Sequence, residues 1–78
     1  MMLFKAIKEL IISGHSVNFG RLTICDLGDE IQTRRGMRKL YQVECNDAKY
    51  RYTEIYSNLN VAIDKFMAIR GILNASRN

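Results

Sequence analysis

The side chains best suited to chemistry in this chain are six cations that lie between residues 34 and 51: Arg34, Arg35, Arg38, Lys39, Lys49 and Arg51. The chemistry they suit is recognition of anions. A guanidinium grips phosphate or carboxylate through two parallel hydrogen bonds, and an ammonium acts as a point charge. Only Glu44 and Asp47 oppose them, so this segment holds the whole net charge of +4. Of the 12 Lys and Arg and 8 Asp and Glu in the 78 residues, the remaining six and six cancel. Charge gathered in this way marks a face for an acidic partner. The same charges also suit a blander role, keeping a small sheet soluble and guarding its edges.

Other chemistries find little support. His15 is the single histidine and has no cysteine or carboxylate close to it in sequence. There is no glycine-rich phosphate loop, no metal-ligand spacing and no nucleophile motif, so the chain does not read as an enzyme and no cofactor is expected. Asp26, Asp29 and Glu30 surround Leu27-Gly28 and admit a cation site, although acids beside a turn are more often a solvated surface. Cys25 and Cys45 are too few for a disulfide scaffold or a four-ligand zinc site, and read as free thiols of an intracellular protein. Lys5, Lys8 and Glu9 interrupt the apolar N-terminal stretch, which argues against a secretory signal or a membrane span. These readings predict a cytoplasmic protein with no membrane partner. The length allows one domain, residues 1–78, with a single core.

The elements that must position the cations follow from periodicity. Residues 2–12 read as a helix with Leu3, Ile7 and Leu10 on one face, widened by Phe4 and Ile11, and with Lys5, Lys8 and Glu9 opposite. Ser13-Gly14 ends it. Residues 17–26 read as one strand. Leu27-Gly28 then predicts a tight turn that sets Cys25 opposite Glu30 and Ile24 opposite Ile31, leading into a short strand over 29–33. The alternative is a single loop over 27–37.

Residues 38–56 predict a hairpin turning at Asn46-Asp47, with Glu44 opposite Lys49 and Tyr41 opposite Tyr52. One face is then Tyr41, Val43, Cys45, Tyr50, Tyr52 and Tyr56. The other is Arg38, Leu40, Gln42, Glu44, Lys49, Arg51, Thr53 and Ile55. Ser57 or Asn58 caps a last helix, whose stripe is Leu59, Ala62, Ile63, Phe66, Ile69 and Leu73; Asn60, Asp64 and Lys65 face water, and residues 74–78 fray. The predicted fold is α+β in two layers. A three- or four-stranded antiparallel sheet carries both helices on its tyrosine face and leaves the opposite face bare.

Two resemblances bear on function. The element order, with Gly14-His15 and Phe19, is similar to the double-stranded RNA-binding domain. That family's loop lies between the first two strands and its last helix opens with lysines, whereas here the loop follows the first helix and the last helix opens Ser57-Asn58-Leu59-Asn60. Its function is therefore not carried over. The tyrosine-rich hairpin running into Leu59-Asn60-Val61-Ala62-Ile63-Asp64-Lys65-Phe66 resembles small phage-encoded proteins built as helix, three strands and helix, anti-CRISPR inhibitors among them. That resemblance implies docking on a host protein or nucleoprotein complex. Because this chain is basic, the target surface would be acidic or would be nucleic acid held in a complex.

The bare face also carries Leu40 and Ile55, which a purely electrostatic binder of phosphate does not need. Apolar residues ringed by arginines fit a protein interface. The expected partner-binding residues are Arg34, Arg35, Arg38, Lys39, Leu40, Lys49, Arg51 and Ile55, in a monomer or a homodimer. Nucleic acid on the same face is the alternative.

Overall fold

The structure is a computed structural model and describes residues 2–75. Helix α1 (Met2–Ile12) is followed by strands β1 (Val17–Phe19), β2 (Leu22–Thr33), β3 (Gly36–Asp47) and β4 (Tyr50–Tyr56), and then helix α2 (Leu59–Ala75). The strands form one antiparallel sheet in the order β1-β2-β3-β4. Both helices pack on the same side of it, and the architecture is the two-layer α+β fold that the periodicity predicts.

The core lies between that side and the helices. Ile7 and Ile11 of α1 meet Leu22 and Ile24 of β2, Val43 and Cys45 of β3, and Ala62, Ile63, Phe66, Ile69 and Leu73 of α2. The α2 stripe matches the expected one, with Leu59 partly buried at its start. The α1 face does not. Leu3 and Leu10 are 37% and 45% exposed, while Phe4 packs against the core beside Ile7 and Ile11. The i, i+3, i+4 apolar set of α1 is broader than the line of contact with α2 and β2, and packing selects only part of it.

Caps and turns are local chemistry. At the end of α1, Gly14 takes φ 95°; its N–H donates to Ile11 O, and the His15 N–H donates to Leu10 O. This is a Schellman termination. Asn58 Oδ1 accepts from Val61 N–H at 3.2 Å and caps α2. Asn74 and Ala75 are still helical, and the rest of the segment expected to fray lies outside the described residues.

One predicted strand and two predicted turns are corrected. The strand expected over 17–26 is broken at Gly20-Arg21, where Gly20 adopts φ 62° and the chain reverses into β2. Leu27-Gly28 does not reverse the chain, nor is 27–37 a loop. Asp26 Oδ1 accepts from Gly28 N–H at 2.8 Å, Gly28 takes φ 81°, and β2 continues through a bulge between Asp26 and Glu30. Cys25 therefore faces Gln42, and Ile24 faces Val43. The β3–β4 turn is at Ala48-Lys49, because Asp47 Oδ1 accepts from Lys49 N–H at 2.9 Å and so starts the turn rather than sitting inside it. Glu44 consequently pairs with Thr53, and Tyr41 with Tyr56. The turn moves by two residues and every cross-strand partner by four, an even shift, so the two faces keep their predicted members apart from Lys49, which now lies in the turn.

Ring contacts finish the helix side. Tyr50 and Tyr52 stack, the Tyr52 and Tyr56 hydroxyls are hydrogen-bonded, and Lys65 Nζ lies 5.0 Å from the centre of the Tyr52 ring. Lys65 thus covers β4 rather than simply facing water. Arg70 sits 4.8 Å from the centre of the Phe19 ring and packs against the β1 edge.

Two expectations follow. Phe66 is fully buried at the centre of the core, so Phe66→Ala should cost about 3–5 kcal/mol in urea unfolding. That is most of the roughly 4–8 kcal/mol available to a domain this small. The Tyr52 phenol is pushed up to about 12, first by burial and then by its bond to Tyr56. Its folded value exceeds the unfolded 10.0, so its contribution is present below pH 10 and is lost as pH rises towards 12. The urea midpoint should fall across that window, and Tyr52→Phe should flatten the fall.

Candidate binding face and basic groove

The bulge divides the β2–β3 hairpin into two parts. Below it, residues 22–26 pair with β3 over the core. Above it, Glu30↔Lys39, Ile31↔Arg38, Gln32↔Met37 and Thr33↔Gly36 pair only with each other and form an arm. β4 ends opposite Tyr41 and does not accompany the arm. The tip is Arg34-Arg35, held by the Arg35 N–H donating to Thr33 Oγ1 at 3.2 Å and by Thr33 Oγ1 donating to Gly36 O at 2.8 Å.

Alternation along β3 then distributes the predicted residues. Arg38, Leu40, Gln42 and Glu44 point away from the helices, as do Ile31 and Cys25 of β2 and Arg51, Thr53 and Ile55 of β4. Lys39 points to the helix side, where its Nζ lies 3.8 Å from Asp26 Oδ2. Lys49 belongs to the far turn. Arg51 donates from Nη1 to Asn46 Oδ1 at 3.3 Å. Arg51 is level with Asn46, eight residues along β3 from Arg38, a separation of roughly 27 Å at the rise of an extended strand. The basic segment is thus split: Arg34, Arg35, Arg38 and Lys39 are brought together at one end, and Lys49 and Arg51 stand at the other.

Between the ends the bare face carries an apolar stripe beside Gln42, Glu44 and Thr53. Ile31 is the diagonal neighbour of Leu40, and Leu40 of Ile55, each step about 7–8 Å across the sheet. Ile31 is 42% exposed, Ile55 is 55% exposed, and Leu40 is half-buried. Sequence reasoning named Leu40 and Ile55 but missed Ile31, because its face depends on the bulge.

At the basic end, the start of α2 leans towards the arm. Thr33, Arg34, Arg35, Arg38, Ser57 and Asn58 line an open groove of about 300 Å³. A second groove of about 310 Å³ continues from Arg38, Ser57 and Asn58 to the helix side, where Lys8 and Lys39 join it. No carboxylate lines either groove among the described residues, and α2 has no acidic residue in its first turn. The partial positive charge of that helix end adds to the field of the cations.

Of the three acids near the bulge, one is engaged by neighbouring groups and a second lies across the strand from a lysine. Asp26 caps Gly28 and pairs with Lys39, and Glu30 stands opposite Lys39. Among the described residues no cluster of His, Cys, Asp or Glu stands ready to hold a metal ion. His15 is exposed in the loop after α1, Cys45 is in the core, and Cys25 is half-buried on the bare face. No helix of the described residues is long and apolar enough to cross a membrane. No family model matches the chain, and no curated protein or solved structure is significantly similar to it.

No residue of the arm is buried, so it should open without the core. Amide exchange at residues 30–33 and 36–39 should be at least roughly tenfold faster than at 22–25 and 42–45. Equal protection would mean that arm and core open together.

Proposed function

We propose that this chain is a non-catalytic binding module that docks through the bare face of its sheet on an acidic surface of a larger protein or nucleoprotein assembly. A small inhibitor of the anti-CRISPR type would work in this way. The observation that carries the reading is the stripe Ile31–Leu40–Ile55, with Ile31 and Ile55 exposed and Leu40 half-buried, beside Arg38 on a face that neither helix covers. A desolvated apolar centre with an arginine rim is how protein interfaces are built. A nucleic-acid platform would use exposed aromatic rings for stacking. All four tyrosines, Tyr41, Tyr50, Tyr52 and Tyr56, pack instead against the core on the helix side.

A second reading rests on the groove of Arg34, Arg35 and Arg38, whose lining is free of carboxylates and suits phosphates. It calls for affinity that falls steeply with salt.

The two are separated by comparing wild type, Leu40→Asp and Arg38→Glu as tagged baits for nuclease-treated host extract, with retained proteins quantified. On the protein reading both substitutions release the same retained protein, Leu40→Asp weakening its binding about 30-fold, as loss of an interface centre does. Retention unchanged in Leu40→Asp overturns it. Binding of labelled single- or double-stranded oligonucleotide at about 50 mM salt, abolished by Arg38→Glu and untouched by Leu40→Asp, would establish the second reading instead.

A further inference from the structure

We propose that two copies of this chain join β4 to β4, antiparallel and centred on Thr53, so that their sheets merge across a two-fold axis. This inference does not rest on the proposed function. The two edges of the sheet are unequal. β1 is an edge of three residues, too short to template a partner, whereas β4 presents seven. β4 pairs with β3 without a bulge, and the sequence contains no proline. A straight edge of that length leaves every second backbone N–H and C=O unpaired and ready to accept another strand.

The register follows from the side chains. A two-fold axis perpendicular to the sheet keeps each face on its own side and must pass beside one residue of β4. Centred on Glu54, it sets the two carboxylates directly opposite each other, which is repulsive. Centred on Tyr52, it leaves Ile55 and Tyr56 without partners in the opposite β4. Centred on Thr53, it pairs the whole strand: Thr53 with Thr53, Tyr52 with Glu54, Arg51 with Ile55, and Tyr50 with Tyr56 of the second copy. Thr–Thr and aromatic–aromatic are favourable cross-strand pairs.

Charge selects the same register. Glu54 is exposed on the helix side of the edge and makes no ion pair with the described residues of its own chain. Opposite Tyr52 of the second copy, it comes beneath the Lys65 ammonium that sits over that ring. Symmetry makes the ion pair twice. The two bare faces also become continuous, with Ile55 of each copy beside Arg51 of the other.

The test uses the full chain. Light scattering and sedimentation should give twice the 9.0 kDa chain mass, falling to the monomer on dilution. In a Cys25→Ser background, Thr53→Cys should form an intermolecular disulfide under mild oxidation, whereas Arg51→Cys alone should not. Glu54→Lys and Lys65→Glu should each weaken association roughly tenfold, and the double exchange should restore it. Circular dichroism checks that each variant folds, and the Thr53→Cys cross-link decides the matter if a charge variant does not. A monomer at all concentrations overturns the proposal. So does a dimer that fails to cross-link through Thr53→Cys and ignores both charge changes.

Discussion

The alternation of β3 is the constraint on which the rest of the molecule depends. From Tyr41 to Cys45 β3 is paired along both sides, so none of those residues can turn over without breaking two ladders. Val43 and Cys45 are in the core, while Glu44 between them is exposed. A chain of this size builds a single core, and its two helices suffice to cover one side of a four-stranded sheet. What points away from them is left in water by default. The uncovered face with its arginines and isoleucines is therefore the geometric complement of the hydrophobic core.

This explains why the faces were legible in the sequence and the turns were not. The α2 stripe and the members of both sheet faces follow from periods of 3.6 and 2, and the sheet faces survive an error of four residues in register because four is even. Turn positions hang on single residues with more than one use. Asp26 and Asp47 each accept from a backbone N–H two residues on, yet one sits at a bulge and the other at a reversal. Gly20 and Gly28 both take positive φ, and only the first lies in a hairpin turn. Nothing local to Leu27-Gly28 distinguishes these outcomes. They are decided by what the following residues pair with.

The same limit applies to the site. That Arg34, Arg35 and Arg38 stand close together could be read from their spacing. Their meeting with Ser57, Asn58 and Lys8 could not, because it requires α1 and the start of α2 to converge on the arm. Nor did the count of charges reveal that Lys49 and Arg51 lie at the opposite end of β3. A strand converts a run of sequence into length, and a cluster within 18 positions becomes two separate regions of potential.

The bulge between Asp26 and Glu30 has a bearing on how such a protein can change. Everything beyond it, from Gly28 to Lys39, is at most half-buried, and Asp26 and Gly28 settle the bend through a bond between themselves. The arm can accordingly be rewritten, lengthened by pairs of residues or exchanged as a cassette while the core keeps its packing. On the docking reading proposed above, the arm would be a contact element free to drift, mounted on a scaffold that need not follow.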